Sequence, residues 1–177
     1  IGQQGDGGLL GIMPGIRPIP GCTPVGRLPP LYPEWLGNRL FSHVHNTRFA
    51  YVLGDLGEGI TGPELVSAAA QNGFLSFFGV AGLSMDNIRR GVDYLVHHLG
   101  DHLPWGMGIN HIPSDPRRES ELVGLCLPRG VHRVLASGYL GVTHPLVRSA
   151  CKGLPVDLTG RVARPHPLLG GMSHAHP

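Results

Sequence analysis

The sequence predicts an α/β fold built around a parallel sheet, and two observations support this. First, candidate strands begin near Phe49, Phe74, Trp105 and Val131, at nearly even intervals. Second, each candidate strand is followed by a helix signal, which consists of a capping residue or a proline and then an apolar face. Repeated βα units require parallel strands joined by right-handed crossovers. We therefore expect about four βα units in succession.

The stretch Phe49–Ser84 contains the first unit and the start of the second. Phe49–Leu53 is a short apolar run of the kind found in buried strands. Pro63 suits the first turn of a helix, and Asn72-Gly73 suits its end. The expected apolar face of this helix consists of Leu65, Val66, Ala69 and Ala70. The loop between strand and helix contains three glycines, which allow a sharp turn or a close approach to a ligand: Gly54, Gly57 and Gly59.

The later units follow the same plan and leave two architectures open. Helices are expected to begin at Ser84, at Ser114-Asp115-Pro116 and near Thr143, and a fifth strand is expected near Pro167–Met172. A doubly wound sheet and half of a (β/α)₈ barrel both agree with this order. The dinucleotide-binding version of the doubly wound sheet is disfavoured. The glycines read G-x-x-G-x-G, and the second strand ends without a carboxylate.

Composition narrows the class of protein further. The 177 residues carry a formal charge of +2, which does not favour nucleic acid or an acidic membrane surface as a partner. The three widely spaced cysteines do not suggest a disulfide framework or a zinc site, so a cytoplasmic location is expected. Residues 1–33 are rich in glycine and proline and are interpreted as an arm or linker, whereas residues 34–177 form the predicted domain. A short apolar cluster is expected to cap the end of the sheet: Tyr32, Trp35, Leu36, Leu40 and Phe41. Because the first residue is not methionine, the amino terminus is expected to be incomplete.

The βα loops at the carboxyl ends of the strands are the predicted ligand side. Three of these four loops consist mainly of glycine and small residues, which suits a flat cofactor but is also typical of tight βα turns. Of the eleven histidines, only His111 follows a predicted strand at this end, and it is the one weak catalytic candidate. Asp55 and Glu58 lie in the first loop, where a solvated charge is expected rather than a base.

Several stretches in order resemble one known family: PPLYPEWLGNRLF, RFAYVLGDLGEGITGPELV, NGFLSFFGVAGLS, LPWGMGI, GVHRVLASGYLGVTHPLV and KGL. The sequence is similar to the PfaD family of flavin-dependent enoyl reductases of polyketide and polyunsaturated fatty acid biosynthesis, which act in trans and are related to nitronate monooxygenases. The resemblance implies the amino-terminal half of a (β/α)₈ barrel that binds FMN. It also implies NAD(P)H as hydride donor and an acyl carrier protein as partner. The implied cofactor-binding residues are Gly54, Asp55, Gly59, Gly79, Gly82 and Ser137.

The sequence departs from the family pattern at three positions. Asp55 replaces a small residue, and its charge would repel a reduced, anionic flavin unless it is protonated or paired. Gly108 falls where the family has an asparagine, and Gly171 falls where a lysine is expected. The strands that hold the flavin phosphate would lie beyond Pro177. Two alternatives therefore stay open: a nitronate monooxygenase-like enzyme, and a degenerate barrel half that binds a synthase partner without flavin. Open sheet edges further predict self-association.

Overall fold

The computed structural model describes residues 2–4, 10–11, 22–24, 26, 29–151 and 168–171. The chain divides into two units, Ile1–Trp35 and Leu36–Pro177. In the first unit, strands β1 (Gly2–Gln4), β2 (Leu10–Gly11) and β3 (Cys22–Pro24) pair antiparallel in the order β2-β1-β3. Short paired strands thus occur within residues 1–33. The interpretation of that segment as an arm or linker stays a prediction.

The second unit contains five strands in a parallel sheet. They are β4 (Val52–Leu53), β5 (Leu75–Phe78), β6 (Trp105–Asn110), β7 (Val134–Ser137) and β8 (Leu168–Gly171). Every pairing is parallel, and the spatial order is the chain order, β4-β5-β6-β7-β8. A doubly wound sheet reverses its strand order at a switch point, whereas a barrel does not. The sequential order therefore confirms the half-barrel interpretation.

In the described part of the chain, five α-helices accompany the sheet: α1 (Arg39–His45), α2 (Pro63–Gln71), α3 (Met85–Leu99), α4 (Pro116–Cys126) and α5 (His144–Cys151). Two of the predicted caps make the expected hydrogen bonds. The backbone N–H of Asn87 donates to Ser84 Oγ at 3.3 Å, and that of Arg118 donates to Asp115 Oδ1 at 3.3 Å. None of the helices in the described part of the chain is long and apolar enough to cross a membrane.

The hydrophobic core lies between the helices and the sheet. All four residues of β5 are buried, as predicted for a central parallel strand. On α3, the side chains at the expected spacing are fully buried: Ile88, Val92, Leu95 and Leu99. The α4 face is buried as predicted at Leu122, Val123, Leu125 and Cys126. The core thus holds the strands in the register that brings their carboxyl ends together.

Two sequence-based expectations for this unit were wrong, and one helix was missed. Leu65 was placed on the buried face of α2, but it is 45% exposed, and the buried positions are Val66 and Ala70. Leu36 and Leu40 were expected to cap the sheet, but both side chains are exposed. Helix α1 was not predicted, although its signal was present. Asn38 is a typical N-cap, and its Oδ1 accepts from the Leu40 N–H at 2.8 Å.

The amino end of the sheet is held by side chains that bind backbone carbonyls. Arg133, which directly precedes β7, donates from Nη1 to the Leu103 carbonyl at 3.1 Å and from Nη2 to the His45 carbonyl at 3.5 Å. The Trp105 indole N–H donates to the Gly100 carbonyl at 2.7 Å. These bonds tie α1, the end of α3 and the start of β6 and β7 together. The amino edge is therefore a structural junction.

Candidate functional site at the carboxyl edge of the sheet

Three polar side chains from three strands meet at the carboxyl edge. Asn110 and Ser137 are the last residues of β6 and β7, and Asp55 is the second residue after β4. Asn110 Nδ2 donates to Ser137 Oγ at 2.7 Å, and the Ser137 hydroxyl donates to Asp55 Oδ2 at 3.4 Å. We refer to these three residues as the edge network. It brings together two residues that the sequence indicated, Asp55 and Ser137, and adds Asn110.

The Asp55 side chain folds over the sheet and is partly buried. It fills the space beside Gly108: a β-carbon added at Gly108 would overlap the Asp55 carboxylate and lie 2.7 Å from the Asp55 β-carbon. Burial raises the pKa of Asp55, while hydrogen bonds from its own backbone N–H and from Ser137 partly oppose that rise. The expectation of a solvated loop charge was therefore wrong, because Gly108 leaves a cavity that the carboxyl occupies.

The edge retains a side-chain amide despite the glycine at position 108. Residues two apart in a strand face the same side of a sheet, so Asn110 shares a face with Gly108. The expected loss of an amide at Gly108 is thus offset two residues later. The Oδ1 atom of Asn110 is buried and has no hydrogen-bond partner among the described residues, so it can accept from a ligand. The spacing from Gly108 to Asn110 could have revealed this residue.

The predicted cofactor-binding glycines separate into two groups. A β-carbon at Gly54 or Gly59 would have nothing within 4 Å, so the backbone there is open to a ligand. A β-carbon at Gly79 would overlap the Leu56 carbonyl, and one at Gly82 would overlap the Glu58 carboxylate. Gly79 and Gly82 therefore have a packing reason to be glycine, because the β4–α2 loop lies directly on the β5–α3 loop.

The β4–α2 loop is closed by Thr61, which is 1% exposed. The Leu56 N–H donates to Thr61 Oγ1 at 3.1 Å, and the Thr61 N–H donates to the Leu56 carbonyl at 3.0 Å. Two further backbone bonds join this loop to the next: Glu58 N–H to the Ala81 carbonyl at 2.8 Å, and Gly79 N–H to the Thr61 carbonyl at 3.0 Å. The loop that carries Asp55 is thus held in place by its own bonds.

A second cluster lies beside the edge network, and sequence reasoning identified only one of its members. His111 directly follows β6, and its Nδ1 lies 3.4 Å from Oε2 of Glu119, a residue of α4 that is 3% exposed. The Thr143 hydroxyl donates to the other carboxylate oxygen of Glu119. The Tyr139 ring packs on His111 with centroids 5.1 Å apart. We call these four residues the Glu119 cluster.

Tyr139 is 7% exposed, and its buried hydroxyl lies close to the Glu119 carboxylate. Burial raises the pKa of Tyr139, and the nearby Glu119 carboxylate raises it further. No sequence signal marked Glu119, because an acidic residue in the first turn of a helix is ordinarily a solvated partner of the helix dipole. Only the tertiary fold buries it against two loops.

Two further predictions concern the same edge. Gly171, the position where a lysine was expected, pairs in register with Ser137 at the end of β8. The sequence did not suggest a metal site. Within the described residues, no group of three histidine, cysteine, aspartate or glutamate side chains could hold a metal ion.

The chain is similar to known proteins over most of its own length. No protein-family model matches the chain. It is 34% identical over 153 residues to the polyketide biosynthesis protein ThaF of Burkholderia thailandensis, which covers 86% of this chain and 12% of ThaF. It is 31% identical over 138 residues to a polyunsaturated fatty acid synthase component of Thraustochytrium, which covers 78% of this chain and 9% of that protein. The chain therefore spans only a small part of these curated relatives.

A solved structure agrees with these relatives. The enoyl reductase domain of MlnA, from the macrolactin biosynthesis cluster of Bacillus amyloliquefaciens, superimposes with a TM-score of 0.72 at 30% identity, over 76% of this chain and 31% of that domain. The sequential parallel sheet is the shared architecture. Over the part of its relatives that the chain covers, these comparisons confirm the resemblance to the PfaD-like enoyl reductases of polyketide and polyunsaturated fatty acid biosynthesis.

Proposed function

We propose that this chain is part of an FMN-dependent enoyl reductase that acts in trans, in the cytoplasm, on acyl chains held by an acyl carrier protein. The observation that carries the proposal is the edge network, a set of hydrogen-bonding side chains at the carboxyl ends of parallel strands. Its position in a chain similar to the MlnA enoyl reductase domain supports a flavin as the ligand.

The residues at this edge fit a flavin. The isoalloxazine ring has hydrogen-bonding groups along one side and apolar faces, so it needs polar partners beside open backbone. Asn110 Oδ1 is buried and unpartnered among the described residues, and Gly54 and Gly59 leave open space. Asp55 is the residue least suited to the site, because its charge would repel a reduced flavin. Burial raises the pKa of Asp55, and the Ser137 hydroxyl donates to its carboxylate, so this side chain already has a partner at the site.

We assign the residues as follows. Gly54 and Gly59 would lie against the ring, and Asn110, Ser137 and Asp55 would bind its polar edge. Gly79 and Gly82 would contribute by holding the neighbouring loops close. When bound, FMN supplies the hydride that it has received from NAD(P)H. The buried strands beneath the edge would exclude water from one side of the site.

Binding of FMN tests the proposal directly. The purified chain is mixed with FMN and passed through a desalting column, and the visible flavin absorbance of the protein fraction is measured. We expect bound flavin in the wild type and reduced binding in Asn110→Ala. Asn87→Ala, on the exposed surface of α3, is the matched control. A wild-type chain that stays colourless would contradict the proposal for this chain and favour the degenerate, partner-binding interpretation.

The reaction is tested separately in the enzyme that carries this chain. We expect NADPH oxidation that depends on an enoyl thioester attached to an acyl carrier protein. Oxidation of a small nitroalkane without that substrate would instead favour the nitronate monooxygenase-like alternative. Flavin binding with neither activity would leave the cofactor assignment intact and overturn the assigned substrate.

A further inference from the structure

The carboxylate of Glu119 is buried. The flavin-binding residues assigned above do not explain why a carboxylate is buried there. Removing a carboxylate from water is costly unless donors replace its hydration. Both oxygens of Glu119 have such a donor: Thr143 on Oε1 and the His111 ring on Oε2. The partners come from the β6–α4 and β7–α5 loops, so one side chain joins two loops of the predicted ligand side.

Thr143 shows that this contact is built into the fold. Besides its bond to Glu119, its Oγ1 accepts from the Leu146 N–H at 3.4 Å, and its carbonyl accepts from the Val147 N–H at 3.0 Å. Thr143 is therefore the residue that begins α5 as well as the hydroxyl that fixes Glu119. Movement of the carboxylate would disturb the start of that helix.

His111 is held at its backbone as well as at its ring. Its N–H donates to the Ser137 carbonyl at 3.0 Å, which places it next to the edge network. A carboxylate can only accept, so the ring nitrogen that faces Glu119 must carry a hydrogen. The tautomer of a histidine is set by the hydrogen bond that its other nitrogen makes. Nδ1–H is thus retained, and only Nε2 can exchange a proton.

We propose that Glu119 is a positioning residue that keeps a hydrogen on Nδ1 of His111, so that Nε2 of the doubly protonated ring is the proton donor to the acyl chain. This step rests on the proposed function. In the reduction, a hydride originating from NAD(P)H adds to the β-carbon. The electron pair of the C=C bond takes the Nε2 proton at the α-carbon. The imidazole is left neutral with its hydrogen on Nδ1, and water restores the Nε2 proton through the exposed part of the side chain, 23% of its surface.

The tautomer of His111 is measured by long-range ¹H–¹⁵N NMR on protein labelled with ¹⁵N-histidine, at a pH where the ring is neutral. The signal is assigned with His111→Asn. We expect the Nδ1–H form in the wild type and loss of that form in Glu119→Gln, because the amide of this variant can donate to Nδ1 as well as accept from it. Glu121→Gln, an exposed acid on the same helix, is the matched control and should leave the tautomer unchanged.

Each outcome decides one part of the proposal. An Nε2–H form in the wild type, or the same Nδ1–H form in both proteins, overturns the positioning role. If Glu119→Gln does not fold, the wild-type tautomer alone gives the decision. In the enzyme that carries this chain, we expect Glu119→Gln to lower kcat about 100-fold with FMN content unchanged, and an unchanged kcat overturns the proton-donor role. A wild type without FMN but with the Nδ1–H form would instead contradict only the proposed function.

Discussion

The two ends of the parallel sheet use polar side chains in different ways. At the amino edge, Arg133 and Trp105 donate to backbone carbonyls, and these bonds join neighbouring elements. At the carboxyl edge, Asp55, Ser137 and Asn110 bind one another, and Asn110 retains a buried oxygen without a partner among the described residues. Backbone partners are fixed by the fold, whereas side-chain partners can be exchanged for a ligand. The amino edge thus contributes to stability, whereas the carboxyl edge is the end at which we propose that a ligand binds.

The pKa values of a titratable group at each edge are shifted in opposite directions. Burial at the amino edge lowers the pKa of His45, and the nearby Arg133 lowers it further. Burial at the carboxyl edge raises the pKa of Asp55. Both shifts favour the neutral form of a group removed from water. The predictions below test whether the edges are separable in stability and in ligand binding.

The largest expected effect is at the amino edge. Arg133→Met removes the charged hydrogen bonds to the backbone carbonyls of Leu103, Trp105 and His45 and should lower the free energy of unfolding by about 3 kcal/mol. Arg129→Met is the matched control, because its 2.6 Å contact with Asp93 is a surface ion pair worth less than about 1 kcal/mol. Urea denaturation measures both. Equal costs for the two variants would contradict the structural role of Arg133.

At the carboxyl edge, Gly108→Ala should destabilise the fold by about 2 kcal/mol, because the added methyl group overlaps Asp55. Adding Asp55→Gly should recover much of this loss, since it removes the overlapping atoms. Gly124→Ala is the control: a β-carbon there has nothing within 4 Å, so it should leave stability unchanged or raise it. Additive effects of Gly108→Ala and Asp55→Gly in a double-mutant cycle would show that the two positions do not share this space.

The next prediction concerns how His45 changes the stability of the fold as the pH falls. Because its folded-state pKa lies below the unfolded value, its neutral form stabilises the fold above the unfolded pKa of about 6.5. That contribution is lost as the pH falls from there through the folded pKa. The wild type should therefore lose more stability than His45→Gln in this range. His97→Gln, an exposed histidine of α3, should behave as the wild type.

The smallest expected effect is the pH dependence of stability that Asp55 causes. Its sign is opposite to that of His45. Its folded-state pKa lies above the unfolded value, so the folded state binds the proton more tightly. Stability conferred by the neutral acid is present below the unfolded pKa of about 3.9 and is lost as the pH rises through the folded pKa. The wild type should thus lose stability relative to Asp55→Asn as the pH rises. A constant difference between the two proteins across that range would argue against burial of this carboxyl.

The positions predicted well from the sequence are those governed by local rules. Ser84 and Asp115 cap their helices because a short polar side chain can reach a free backbone N–H nearby in the chain. The placement of Leu65 failed because adjacent apolar residues in a short helix leave the buried side ambiguous. Asp55 was misjudged because its environment depends on Gly108, which lies on another strand.

The sequence by itself determined the succession of strands and helices, the end of the sheet at which ligands are expected to bind and, through its motifs, the resemblance to a family of enoyl reductases. Periodicity, capping and turn chemistry act between residues close in the chain, so one sequence is enough to see them. Only the tertiary structure decided the sequential strand order, the partner of Asp55 and the burial of Glu119. Those depend on which distant residues meet when parallel strands align, and the meeting of β6 and β7 places Asn110, Ser137 and His111 side by side.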